Sequence, residues 1–191
     1  MSLYDLIVTR RTIRQFKQDE IPDEILEKIV NAARLAPSGS NLQPLEYIVV
    51  TQEKVKKLVF SALKWAGYIA PEGNPKPGHE PAAYVVVLVN TRVRKRGYEH
   101  DAGAAIENMI LTAWEEGIGS CWVGSVKKVK VRRALKIPDH YLVDSVLALG
   151  YPAEKPVVEE TEKSVKYWKD RRGRLHVPKR RLENIIHFNG F

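Results

Sequence analysis

The stretch "RRTIR" sets three guanidinium groups, Arg10, Arg11 and Arg14, around the hydroxyl of Thr12. Planar guanidinium forks bind phosphate oxygens in pairs, and a hydroxyl adds a further donor. If this turn is helical, Arg10 and Arg14 share one face. The same residues would equally suit a basic helix C-terminus that complements its dipole. A second polar cluster is "PSGSN", Pro37, Ser38, Gly39, Ser40 and Asn41, followed closely by Gln43. These are ordinary turn residues, but they supply more donors and acceptors than a turn requires. Gly39 would also let a ligand approach the main chain. The third candidate is "GIGSCWVGSV", in which Trp122, Val123, Gly124 and Ser125 follow two further glycines. A glycine inside an apolar strand pattern marks a bulge or a main chain on which something packs; relief of packing is the alternative.

Familiar catalytic signatures are missing. There is no P-loop, no G-x-G-x-x-G after a strand, no G-x-S-x-G and no His/Cys spacing for a metal. The five histidines are scattered through expected loops and element ends, where surface and capping roles suffice. Cys121 sits in an apolar strand pattern, which suits an inert buried thiol. A chain without an evident proton-transfer or nucleophilic group often takes its chemistry from a cofactor.

Helical and strand patterns alternate around these clusters. A short helix over 3–8 precedes the arginines. In "IPDEILEKIVNAARLA", Pro22 and the acidic pair Asp23 and Glu24 suit a helix start, and Ile25, Leu26, Ile29, Val30 and Ala33 form an apolar stripe. "LEYIVVT" reads as a strand, "EKVKKLVFSALK" as an amphipathic helix, and the Gly/Pro-rich 67–81 segment as a loop. "AAYVVVLVN" has too few polar alternations to face water and reads as a central strand. "DAGAAIENMILTAWEE" is a helix rich in small residues, suited to close packing at the centre. "SCWVGSV" and "DSVLALGYP" read as strands separated by the basic helix "VKVRRALKI". "RLENIIHF" is a short terminal strand pattern that its own domain leaves partly uncovered. The pattern predicts one α+β domain over 1–191 with a mixed central sheet.

Lysine and arginine outnumber aspartate and glutamate, 31 to 23, for a net charge of +8. Such a surface suits nucleic acid, an acidic membrane or a phosphorylated small molecule. No zinc-finger spacing or RNP signature accompanies the charge, so no nucleic-acid partner is expected; a basic protein whose arginines contact nucleic-acid phosphates is the alternative from another class. No apolar run approaches the length of a membrane span. The N-terminus lacks the form of a signal peptide, and one cysteine permits no intrachain disulfide, so a cytoplasmic setting is expected.

In combination and in this order, "RRTIRQF", "APSGSNLQP", "DAGAAIENMILTA", "GIGSCWVGSV" and "LALGYPAEKP" resemble the nitroreductase family of FMN-dependent oxidoreductases. The resemblance covers nearly the whole chain. It implies an intertwined homodimer with an FMN at each of two interfacial sites, and a tail of about 157–191 reaching toward the partner. Arg10, Arg11, Thr12 and Arg14 would hold the phosphate and ribityl chain, joined by Lys179 and Arg181 of "PKRRL". Pro37, Ser38, Gly39, Ser40 and Asn41 would serve the flavin held mainly by the other subunit. Trp122, Val123, Gly124 and Ser125 would run along the ring, with the Gly124 N–H near N5. By the same resemblance, NADH or NADPH reduces the flavin, which then reduces a nitroaromatic, quinone, flavin or similar acceptor in a ping-pong cycle. No catalytic side chain and no metal are implied. Specialised members of the fold act by reductive dehalogenation, flavin fragmentation or enone reduction. Two departures stand out: the 68–81 loop lacks an evident flavin-contacting polar set, and Gly124 occupies a position where some relatives carry glutamate.

Overall fold

A computed structural model describes residues 2–191. Four antiparallel strands form the central sheet: β1 (Leu45–Val50), β2 (Ala83–Asn90), β3 (Gly119–Val123) and β4 (Tyr141–Gly150), in the order β1-β2-β4-β3. A parallel bridge from Thr12 to Ser120 extends the β3 edge, which makes the sheet mixed, as the sequence pattern predicts. Helices α2 (Asp23–Arg34) and α4 (Glu99–Glu115) cover one face; α3 (Glu53–Phe60) and α5 (Lys128–Ala134) cover the other.

β2 explains this layering. Its Val85 and Val87 enter the core beneath α2 and α4, while Tyr84, Val86 and Leu88 enter the core on the opposite face. A strand buried on both faces must be apolar at successive positions. The stripe expected on α2 buries Leu26, Ile29 and Ala33. On α4, Ala102, Ala105, Ile106, Met109, Ile110 and Ala113 are buried, in keeping with its small-residue face.

The N-terminal helix α1 (Leu3–Thr9) ends in a different way from the helical turn considered for the arginines. Arg10 caps it in an extended conformation, and Thr12 and Phe16 then bridge to Ser120 and Pro152. The segment is therefore extended. Alternate residues of an extended chain share a side, which lines up Arg10, Thr12 and Arg14.

Beyond Pro156 the tail folds as a small second sheet. β7 (Leu175–Arg180) lies between a parallel β5 (Val157–Thr161) and an antiparallel β6 (Trp168–Lys169). The expected terminal strand does not form. Leu182–Asn184 is a 3-10 turn, and Leu182, Ile185, Ile186 and Phe188 stay exposed. Among the described residues no strand pairs with this segment, so no ladder holds it extended.

Candidate functional site

Gly119 and Gly150 face each other across β3 and β4. A Cβ on Gly119 would lie 2.6 Å from Ile13 Cγ1, and one on Gly150 would lie 2.8 Å from Phe16 Cδ1. The arginine segment thus lies on a floor that only hydrogen side chains leave low enough. Its main chain is held on both sides. Ile13 N–H donates to Ser120 O at 2.9 Å and Lys17 N–H to Tyr151 O at 2.8 Å. Glu154, from "YPAEKP", accepts from the N–H groups of Arg14 and Gln15 at 2.5 and 3.2 Å. The buried Gln15 carboxamide donates to Asn74 O and accepts from Lys76 N–H, tying in the 68–81 loop.

On this fixed segment the Nε atoms of Arg10 and Arg14 are both buried with no hydrogen-bond partner. Buried cationic donors without an acceptor are costly. Two of them on one segment fit an anion supplied from outside the chain. Arg11 differs, since its guanidinium turns back onto Arg10 O. Lys179 is exposed on β7, and Arg181 pairs with Glu160, Glu162 and Glu183. Among the described residues, no hydrogen bond or ion pair links Lys179 or Arg181 to Arg10 or Arg14.

The "PSGSN" turn is anchored elsewhere. Gly39–Asn41 forms a 3-10 turn, with Ser40 and Asn41 at positive φ. The Gly39 N–H donates to Asp101 Oδ1 at 3.0 Å, and Arg94 Nη1 donates to Asp101 Oδ2 at 3.1 Å. A Cβ on Gly39 would lie 2.4 Å from Arg94 Nη1, so any larger residue would have to shift that guanidinium. Sequence patterns pointed to neither Arg94 nor Asp101; an acidic residue in the first turn of a helix is too ordinary a signal. Ser38 Oγ accepts from Gln43 N–H at 3.0 Å, and Pro37 and Ser38 border a cavity of about 130 Å³ beside Asp101. Asp101→Ala would leave the Arg94 charge without its carboxylate and the Gly39 N–H without an acceptor. We expect a loss of about 3 kcal/mol in denaturant unfolding, the low end for a broken buried pair because Arg94 keeps some water contact.

The end of β3 corrects one expectation. The strand stops at Val123, so Gly124 and Ser125 are exposed in the turn beyond it, and Gly124 is not a bulge within the strand. A Cβ on Gly124 would meet nothing within 4 Å. The turn is held by Lys64 N–H donating to Ser125 O at 3.0 Å. Trp122 is partly exposed, and its Nε1 donates to Ser145 Oγ at 2.8 Å.

Cys121 is buried, as its apolar setting predicts. Burial pushes its thiol from an ordinary value of 9.0 up to about 11, with the Arg14 guanidinium opposing the rise. The folded state therefore holds this proton more tightly than the unfolded chain. Its contribution to stability is complete below about pH 9 and is lost as pH rises toward 11. Native protein should resist thiol alkylation at neutral pH, and Cys121→Ala should flatten the alkaline fall in unfolding free energy. Rapid alkylation of the folded protein would contradict this. Among the described residues no group of three His, Cys, Asp or Glu could hold a metal, and no helix is long and apolar enough to cross a membrane.

The chain matches the Nitroreductase family over residues 7–151. It is 36% identical over 157 residues to an Archaeoglobus fulgidus protein with the provisional name NADH dehydrogenase/NAD(P)H nitroreductase, covering 78% of this chain and 85% of that one. Iodotyrosine deiodinase of Thermotoga neapolitana is 27% identical, with 86% and 97% covered. A solved FMN-dependent nitroreductase from Clostridium difficile R20291 superposes with a TM-score of 0.69 at 26% identity, covering 97% of this chain and 98% of that one. A family match over three quarters of its length and 36% identity to the Archaeoglobus relative show that the chain belongs to the nitroreductase family.

Proposed function

We propose that this oxidoreductase binds FMN and passes reducing equivalents from NADH or NADPH to a small oxidised acceptor such as a nitroaromatic, quinone or flavin. The observation that carries the proposal is the pair of buried, unpartnered Nε atoms on Arg10 and Arg14. When bound, FMN supplies the two-electron chemistry that no side chain here is equipped for. The chain's own part is to hold and orient. Arg10 and Arg14 take the phosphate with Thr12 alongside, and Arg11 steadies the segment. Lys179 is free to join them, whereas Arg181 would first have to leave its carboxylates. Trp122, Val123, Gly124 and Ser125 offer their main chain to the ring.

α4 supports a site shared between two copies. The turn is fixed at Asp101 in its first turn, while Thr9, beside the arginines, accepts from Trp114 Nε1 in its last turn at 3.2 Å. At 1.5 Å per residue those ends lie about 20 Å apart, too far for one flavin ring and phosphate to engage both closely within one chain. Two copies packed with α4 antiparallel would bring the turn of one to the arginines of the other. The exposed Leu3, Tyr4 and Ile7 on α1 provide apolar surface for that contact. We therefore place Pro37, Ser38, Gly39, Ser40 and Asn41 at the partner's flavin in an obligate homodimer.

Steady-state kinetics test the function. If donor and acceptor use one site in turn, double-reciprocal lines are parallel, and each substrate competes with the other at high concentration. Intersecting lines would contradict a shared site. Reductive dehalogenation is the second reading, favoured by similarity to the Thermotoga deiodinase. Halotyrosines in the same acceptor panel distinguish it.

A further inference from the structure

The 68–81 loop and the tail meet at a place the sequence patterns left without a role. The Arg14 guanidinium carbon lies 5.0 Å from the centre of the Tyr167 ring, on its face. The Tyr167 ring lies 5.0 Å from that of Tyr68, and its Oη accepts from the Tyr68 N–H at 3.4 Å. Lys166 Nζ is 5.8 Å from the Tyr68 ring centre, which completes a ladder of cation, ring, ring and cation. A second tether runs from Lys169 Nζ to Glu72 O at 2.9 Å. Tyr167 and Lys169 lie beyond residue 151, where the family match ends.

We infer that Tyr167 is a positioning residue for Arg14, and that through it the C-terminal hairpin sets the affinity for the cofactor's phosphate. The inference rests on the FMN-phosphate assignment above. An aromatic face within about 6 Å attracts a guanidinium and is strengthened where water is excluded. Stacking by the face leaves the in-plane N–H groups free to donate. Nε is the buried in-plane donor of Arg14 that lacks a partner. Glu154 fixes the Arg14 main chain, accepting from its N–H at 2.5 Å. The side chain is thus held in place before the anion arrives, and pre-organisation of this kind raises affinity by lowering the ordering cost. Tyr68 and Lys166 extend the stack outward and brace Tyr167 rather than contact the site.

FMN and riboflavin differ only in the phosphate, so their relative affinity reads this role apart from general loosening. Apoprotein is titrated with each flavin by fluorescence. Tyr167→Leu keeps bulk without an aromatic face, and it should weaken FMN about tenfold while leaving riboflavin unchanged. Tyr167→Phe keeps the face, and it should stay within twofold for both. In a double-mutant cycle, Tyr167→Leu should add little to Arg14→Ala. Equal weakening of both flavins, or Leu and Phe behaving alike, would overturn the inference. Arg14→Ala itself should collapse the preference for FMN over riboflavin. An unchanged preference there would instead refute the phosphate assignment, whatever the Tyr167 variants show.

Discussion

Replacing Arg10 and Arg14 together with alanine should yield folded protein that purifies nearly colourless. Each charge-assisted contact contributes about 1.5–3 kcal/mol. Loss of both therefore weakens flavin binding by about a hundredfold to ten-thousandfold. Stability decides between a binding role and a structural one. Both Nε atoms are buried and unpartnered without a ligand. Removing them should leave the flavin-free protein as stable as before, or more so, since functional sites often carry such costs. If the arginines were instead structural, the double variant would lose several kcal/mol in denaturant unfolding. Full flavin occupancy in a stable double variant would sink the assignment.

The second large effect comes from a residue that touches no ligand. Gly119→Val should displace the arginine segment, because even a Cβ would lie 2.6 and 2.9 Å from Ile13 and 3.1 Å from Pro152. The two contacts with Ile13 are closer than real Cβ atoms show, and Ile13 is fully buried. Overpacking of this kind costs about 1–3 kcal/mol, and part of that strain should appear as lost flavin affinity through a shifted Arg10 and Arg14. Gly124→Ala is the control, since its added methyl meets nothing in the chain. Unfolding and flavin titrations of the two variants should diverge clearly. Equal, small effects would show that the glycine floor is not what fixes the segment.

Much of this arrangement was legible in the sequence. The apolar stripe of α2, the uniformly buried β2 and the small-residue face of α4 each follow from periodicity, because burial on a known number of faces dictates residue type. The two polar clusters and the glycine-marked strand were recognisable by composition. Their local geometry was less so. Spacing of four between Arg10 and Arg14 suggested a helical face, but pairing with Ser120 makes the segment extended, and pairing is a long-range fact. For the glycines of "GIGSCWVGSV" relief of packing was the alternative to a ligand, and Gly119 fits it by accommodating Ile13, which lies far away in sequence. Gly124 looked like a strand interior because Val126 resumes the apolar pattern, yet that residue bridges to Leu63 after the strand has ended. The contacts of Tyr167 with Arg14 and Tyr68 join three distant segments, and no local pattern encodes them. The Arg94–Asp101 pair escaped notice because an acidic residue in the first turn of a helix is ordinary in itself.

The central claim is that bound FMN carries electrons from a nicotinamide donor to a separate acceptor at a site organised by Arg10 and Arg14. Anaerobic rapid mixing tests it most directly. Flavin-loaded protein is mixed with NADH or NADPH, freed of nicotinamide, and then mixed with a nitroaromatic or quinone. The account predicts that the visible flavin band bleaches in the first mix and returns fully in the second. A protein that purifies without flavin and takes none up, or a bound flavin that neither nicotinamide bleaches, would contradict it.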